Sequence, residues 1–275
     1  MTSSNILFLG AGRMGGAILR GWAKTVKLGA GVCVLDPTPG VAVGFAENLG
    51  VLGIQDIAEL PADYRADALV LAVKPQMIEQ ALPPLVAFLN KTGVIISIAA
   101  GFSIERIQSL SRSGQPVVRT MPNLAAEVGL SATVAVASEQ ATDIHRNITK
   151  SIMGAVGSLR WVDDEELLHA VTAISGSSPA YVFALAEALA AAAEPLGLSK
   201  ELGHDLAIDT VLGAAALMKE NRDPADLRKQ VCSPGGTTLA ALEVLQGTPG
   251  LNELITNTAN ACVKRSRELA EIKGK

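Results

Sequence analysis

The sequence predicts an α/β protein in two parts: a doubly wound parallel sheet with helices on both faces over residues 1–162, and an all-helical domain over residues 163–275. Three observations carry this. Up to about residue 162, short β-branched apolar runs alternate with longer helical patterns, the signature of βαβ units. After Trp161 the strand-like runs stop, and Ala- and Leu-rich segments of helical period follow, punctuated only by Ser/Gly/Pro clusters. Finally, Gly10-Ala11-Gly12-Arg13-Met14-Gly15 comes directly after the first apolar run and opens the first helical pattern. With 275 residues, 49% apolar and 18% charged, the chain is long and apolar enough to build two cores rather than remain disordered.

In order along the first part, strands are expected at 5–9, 32–35, 68–73, 94–98, 117–119 and 132–137, each a buried run bounded by turn residues. Helices are expected at 14–24, 41–49, 77–89 and 104–110, each limited by Gly, Pro or a polar cap such as Ser103. In the second part, helices are expected at about 164–174, 179–194, 200–220, 224–230, 237–245 and 249–270. Their connecting loops are Ser175–Pro179, Pro195–Ser199 and Cys232–Gly236. Small residues at the density of Ala184–Ala193 suit close helix packing, and a junction between two such parts is the default place for a ligand.

Charge and composition remove several classes of function. Twenty-three Lys+Arg against 27 Asp+Glu give a net charge of -4, the wrong sign for a nucleic-acid footprint, and 3% aromatics leave few rings for base stacking. Three histidines are thin material for a relay. Cys33, Cys232 and Cys262 are far apart, odd in number and without CxxC spacing, which argues against a structural metal site and for a reducing compartment. The N-terminal stretch has no basic region before its short apolar run, and no segment approaches 18 unbroken apolar residues. A cytoplasmic protein that does not enter a membrane is the expectation.

The glycine loop sits where a Rossmann-type dinucleotide fingerprint requires it. Gly10 allows the tight turn, Gly12 lets backbone amides approach a pyrophosphate, and Gly15 permits close helix-to-strand packing, with the anion on the helix N-terminus. Asp36, at the end of the second strand, has two readings. It is placed to hydrogen-bond a ribose 2′-hydroxyl, or it caps a turn before Pro37. Ala72-Val73-Lys74-Pro75-Gln76 and Ser97-Ile98-Ala99-Ala100-Gly101 close the next two strands, where ligands of open α/β sheets bind, although Lys74-Pro75 also reads as a plain helix entry. In the second part, Ser175–Tyr181 is a polar loop opening an apolar helix, which packing alone explains. Cys232-Ser233-Pro234-Gly235-Gly236-Thr237-Thr238 sets two glycines before two threonines at a helix start. That arrangement reads as a carboxylate-sized anion site with a hydroxyl that accepts and donates, or as an ordinary N-cap at Thr237.

Together these segments, with Arg119-Thr120-Met121-Pro122-Asn123 and the Leu239–Leu242 continuation of the last one, resemble the pyrroline-5-carboxylate reductase family, in the family's order from Gly10 to about Leu245. The Cys232–Thr238 segment is the specific one; the glycine loop is shared with many dehydrogenases. The resemblance implies a cytoplasmic reductase that passes hydride from NADPH to the C=N carbon of L-1-pyrroline-5-carboxylate, giving L-proline. It implies Thr238 as the hydroxyl on the ring nitrogen, Gly236 and Thr237 as amides to the substrate carboxylate, and Ser233 as a shaper of that loop. It also implies Gly10, Ala11, Gly12, Arg13, Met14 and Gly15 around the pyrophosphate, and Val73, Lys74, Pro75, Ala99 and Ala100 along the nicotinamide half. The helical domain is implied to form an interlocked homodimer, often built further into a ring of dimers.

This chain departs from the family at the second strand. Members that prefer NADPH commonly carry small polar or basic residues there, whereas this chain has Asp36 and two prolines, so NADH stays open, and Arg13 is a candidate compensating cation. A second enzyme class, the β-hydroxyacid dehydrogenases, shares the general layout but sets a Lys and an Asn on a second-domain helix; residues 180–194 hold no such pair. A non-catalytic dinucleotide-binding regulator would have no use for the Cys232–Thr238 segment.

Overall fold

The structure, a computed structural model, describes residues 4–271. Among these, β1 (Ile6–Leu9), β2 (Val32–Leu35), β3 (Leu52–Ile54), β4 (Ala66–Leu71), β5 (Leu89–Ser97), β6 (Val117–Met121), β7 (Ser131–Ala137) and β8 (Gly157–Trp161) form one sheet in the order β3-β2-β1-β4-β5-β6-β7-β8. The helices are α1 (Arg13–Ala23), α2 (Val41–Leu49), α3 (Pro75–Leu85), α4 (Ile104–Ser109), α5 (Asp143–Met153), α6 (Leu167–Val171), α7 (Ser178–Ala193), α8 (Lys200–Glu220), α9 (Pro224–Gln230), α10 (Thr237–Leu245) and α11 (Leu251–Glu271). No helix among the described residues is long and apolar enough to cross a membrane.

Period-two alternation within the strands builds the sheet's two cores. Ile6, Phe8, Val32, Val34, Ala68, Val70, Val94 and Ile96 face one side with Ile18 and Leu19 of α1 and Ile152 and Met153 of α5. Leu7, Leu9, Cys33, Leu35, Leu69, Leu71 and Ile95 face the other with Ile78, Leu82 and Leu85 of α3 and Ile107 of α4. Strands buried on both faces read as continuous apolar runs, which is why β1, β2, β4 and β5 stand out in the sequence.

Three elements lie outside the expected set, and two strands run the other way. β3 is three residues with a central glycine, and β8 (Gly-Ser-Leu-Arg-Trp) alternates half-buried and exposed positions, so neither is an apolar run. α5 is polar over most of its length and buries only His145, Thr149, Ile152 and Met153. β1 to β6 are parallel, as expected of a doubly wound sheet; β7 is antiparallel to β6, and β8, parallel to β7, runs the same way as β7. Only residues 122–130 join β6 to β7, fewer than the dozen or more a parallel crossover needs.

Strands give way to helices after Trp161, but packing divides the chain later. One compact unit runs to Gly176 and takes up the chain again at Cys262; the other is Ser177–Ala261. Residues beyond 162 stay with the sheet because Leu168, with Val162 and Val171 beside it, packs on Met121 and Val136. The end of α11 returns to the same unit, where Ser266 Oγ lies 2.8 Å from His169 Nδ1. Within the second unit, α7 and α8 pack through small residues: a Cβ on Gly203 would lie 2.3 Å from the Ala193 Cβ. The outward surfaces of this unit carry Phe183, Leu185, Leu189, Leu206, Leu212 and Leu217.

Cys33 illustrates how burial sets chemistry. Its thiol is wholly buried, and burial first, then the charge of Glu59, pushes it up to about 12. Unfolded, the thiol ionises near pH ~8.5. The folded state therefore holds the proton where the unfolded state loses it, and the stability so gained is full below about pH 8.5 and is lost as pH rises toward that folded value. Tyr64, raised chiefly by burial and donating its hydroxyl to the Ile6 and Gly31 carbonyls, acts in the same direction. Native protein is expected to keep Cys33 unmodified by a thiol reagent at pH 8 until urea unfolds it, and urea midpoints are expected to fall through the alkaline range. Labelling of Cys33 in the native state would contradict this.

Candidate functional site

The sheet's register gathers the expected dinucleotide residues along one edge. Leu35 pairs with Leu9, Leu9 with Leu71, and Leu71 with Ser97, so these strand ends form one row. The segments that follow leave the sheet side by side: Asp36 after β2, Gly10–Gly15 after β1, Val73–Pro75 after β4, and Ala99–Ala100 after β5. Strand order reverses between β1 and β4, the point at which open α/β sheets bind ligands.

At the centre is the glycine loop. Gly10 has φ +91°, and a Cβ there would lie 2.7 Å from Val73 Cγ1 and 2.8 Å from the Ala72 carbonyl oxygen. A Cβ on Gly15 would meet the Gly10 oxygen at 2.5 Å, so α1 sits as close to β1 as a helix without side chains there can. Gly12 is different: a Cβ on it meets nothing within 4 Å, so the space above it is open. Gly12 is also the N-cap of α1 and gives no side-chain cap, and the first bond onto its carbonyl comes from Gly16 N–H at 2.7 Å. The amides of Arg13, Met14 and Gly15 thus lie in a first turn that has no intrahelical acceptors for them. An open, uncapped helix start with room above its glycine fits a pyrophosphate.

Arg13 is exposed and directs its Nε to Glu127 Oε1 at 2.6 Å, in the turn after β6. The guanidinium holds the Glu127 carboxyl below the usual carboxylate range. An exposed pair of this kind is weak, so an arriving phosphate can exchange with it. Asp36 is by contrast 6% exposed, with Oδ2 accepting from Ala11 N–H at 2.8 Å and Oδ1 from Thr38 N–H at 2.9 Å. The turn at Pro37 is thus capped by Asp36, and the same carboxylate reaches back to the glycine loop.

Beside this, Val73 is half-buried, Lys74 is the exposed N-cap of α3, and Pro75 is its first residue, as a helix entry requires. Ala99 is buried with its N–H on Ser97 Oγ at 3.2 Å, whereas Ala100 is exposed. These short side chains leave backbone open at the sheet edge, which suits a flat ring.

In the second unit, Ser233–Gly236 is a tight turn with Pro234 second and Gly235 third at φ +70°, closed by Gly236 N–H on the Ser233 carbonyl at 2.9 Å. Gly236 is then the N-cap of α10, and a Cβ on it would lie 2.4 Å from Ser233 Oγ. Contrary to the expectation that Gly236 and Thr237 offer their amides to a carboxylate, Gly236 N–H closes the turn on the Ser233 carbonyl, which leaves the amides of Thr237 and Thr238 at the helix start. Their hydroxyls differ from those of Thr149, Thr172, Thr256 and Thr258, each of which donates to the carbonyl four residues back. At a first turn that carbonyl is not presented, so the Thr237 and Thr238 hydroxyls stay available.

Other partners had no local signal in the sequence. Arg119 Nη1 meets Glu165 Oε1 at 2.5 Å, and the same oxygen accepts from Ile104 N–H at 2.8 Å. Asn123 donates its side-chain amide to the Ser175 carbonyl at 3.1 Å, within a π-helical turn at Thr172–Gly176, and Ser175 Oγ donates to the Ala132 carbonyl at 2.6 Å. The motifs at 119–123 and 175–176 therefore meet through the Asn123–Ser175 hydrogen bond, which fastens one segment to the other.

Comparison with known proteins adds to this geometry. Residues 165–269 match a family model described as pyrroline-5-carboxylate reductase dimerisation, and residues 5–101 match one described as NADP oxidoreductase, coenzyme F420-dependent. A pyrroline-5-carboxylate reductase of Pseudomonas aeruginosa is 36% identical over 272 residues, covering 98% of each chain. The solved structure of a pyrroline-5-carboxylate reductase from Coxiella burnetii superimposes with a TM-score of 0.91 at 37% identity, over 98% of this chain and 100% of the other. A Plasmodium falciparum pyrroline carboxylate reductase with NADP bound gives a TM-score of 0.82 at 26% identity, over 98% and 100%.

Proposed function

Because the chain belongs to the pyrroline-5-carboxylate reductase family, we propose that it reduces the C=N bond of L-1-pyrroline-5-carboxylate to give L-proline, with NAD(P)H as reductant. The observation that carries this is the Ser233–Thr238 segment: a closed turn, two first-turn amides and an uncommitted hydroxyl, a set that a plain helix cap does not need.

Bound to the glycine loop, NAD(P)H supplies the hydride. At the substrate, the carbon of the protonated imine gains that electron pair with the hydride, the C=N π pair moves to nitrogen to leave the neutral secondary amine, and this amine takes one further proton from solvent. A protonated imine is already electrophilic, so the chain's task is to bind, align and exclude water. In this proposal the amides of Thr237 and Thr238 hold the carboxylate, and Thr238 Oγ1 hydrogen-bonds the ring nitrogen. Ser233 and the missing Cβ of Gly236 keep the turn closed. Gly10 to Gly15, with Arg13 and Met14, hold the pyrophosphate; Val73, Lys74, Pro75, Ala99 and Ala100 hold the nicotinamide half. NADPH is the expected preference, with a relative's structure carrying NADP in support.

A homodimer belongs to the same proposal, supported by the dimerisation description of the matched residues and by the leucines that one copy of the second unit leaves exposed. Assembly into a ring of dimers and a cytoplasmic setting complete it. The test is direct: purified protein mixed with pyrroline-5-carboxylate and either NADPH or NADH, followed at the absorbance of the reduced nicotinamide. Oxidation with at least one of them is expected; no oxidation with either overturns the proposal.

A further inference from the structure

We infer that Asp36 is a positioning residue that fixes the glycine loop from beneath, and that it does not select the dinucleotide by bonding its ribose. The inference rests on the proposed function only in taking the loop as a dinucleotide site.

The position alone suggests the opposite. An acid at the end of the second strand of such a sheet ordinarily accepts from the ribose 2′-hydroxyl and, by its charge, repels a 2′-phosphate. Here both carboxylate oxygens are already engaged by backbone, in a side chain withdrawn from the surface. Oδ2 takes the Ala11 N–H at 2.8 Å and Oδ1 takes the Thr38 N–H at 2.9 Å, and the residue as a whole is 6% exposed. Around it the backbone is tied at three further points: Gly10 N–H to the Leu35 carbonyl at 2.8 Å, Asp36 N–H to the Ile54 carbonyl at 3.1 Å, and Val41 N–H to the Thr38 carbonyl at 3.2 Å. Asp36 is the one side chain among these contacts, and it joins the loop after β1 to the loop after β2. Ala11, the residue it holds, is itself buried between Gly10 and Gly12, so its N–H has nowhere else to turn. Without that acceptor a buried donor is left unpaired, and the amides that follow Gly12 lose their fixed direction.

Asp36→Asn separates the two roles. Asparagine keeps one oxygen for one of the two N–H groups and turns its own NH₂ against the other, donor to donor in a buried place. If Asp36 positions the loop, dissociation constants for NADPH and NADH, read by quenching of protein fluorescence without substrate, rise together by about tenfold. In turnover the loss then appears in the KM for the dinucleotide and is recovered at saturation, whereas a general loss of folded protein lowers kcat and leaves KM alone. If Asp36 reads the ribose, NADH binding falls while NADPH binding improves, and a change in their ratio of more than about tenfold overturns the inference. A second measurement uses unmodified protein and stands whatever the variant's stability: 2′-deoxy-NADH is expected to bind as tightly as NADH. Clear weakening of the deoxy analogue overturns the inference and leaves the proposed reaction intact, while binding of neither NADH nor NADPH to unmodified protein overturns both.

Discussion

Thr238→Ala is expected to lower turnover by about 10²-fold while leaving the dinucleotide's dissociation constant unchanged. The magnitude is that of removing one oriented hydrogen-bond donor from a developing centre, and the direction follows from where the hydroxyl sits. Thr238 is the second residue of α10, half-buried, in a turn where the usual carbonyl acceptor is not presented. Alanine at that position is a better helix former than threonine, so α10 itself gains rather than loses. Thr238→Ser keeps the hydroxyl and is expected to retain most of the activity. Steady-state kinetics of both variants, with fluorescence titration of NADPH, check the pair. Loss of binding in step with turnover would identify Thr238 as a structural cap.

Gly10→Ala has the other large expected effect, and Gly12→Ala is its control. At Gly10 a methyl group must take φ +91° and share space with Val73 Cγ1 and the Ala72 carbonyl. Backbone strain of about 1–3 kcal/mol and overpacking of about 1–3 kcal/mol add to a loss of about 2–6 kcal/mol in unfolding free energy. At Gly12 a methyl group meets nothing and the backbone is ordinary, with φ -60°, so stability stays close to that of the unmodified protein. Both variants are expected to bind dinucleotide poorly, the first because the loop is displaced, the second because the methyl occupies the place proposed for the pyrophosphate. Urea denaturation and dinucleotide titration together decide this. An unchanged urea midpoint in Gly10→Ala would show that Val73 and its neighbours repack at no cost.

Much of this was legible in the residues because the rules involved are local. A buried parallel strand is a run such as Ile6–Leu9, and a glycine that must take a positive φ is the first in a strand-to-helix turn. β8 was not legible, because a half-buried edge strand reading Gly-Ser-Leu-Arg-Trp carries no apolar run. The antiparallel course of β7 follows from a short connection, which shows only once both strand ends are known. At the site, Asp36 was found by its place after β2, yet its partners were not: Ala11 lies 25 residues away, and no spacing rule says which amide a carboxylate will choose. Arg119 and Glu165, 46 residues apart, and Asn123 and Ser175, 52 apart, meet only through the path of the chain.

The return of α11 to the sheet-bearing unit has a consequence for biogenesis. Ser266 reaches His169 across 97 residues, and the whole of Ser177–Ala261 is synthesised between them. The first unit is therefore discontinuous: its sheet is finished when Trp161 is made, but its last helix turns come only after another unit's worth of chain. Closing so long a loop carries an entropic cost that local contacts do not, and it slows whichever step makes it. On the ribosome, the sheet must wait with the surface around His169 uncovered until the final turns of α11 emerge.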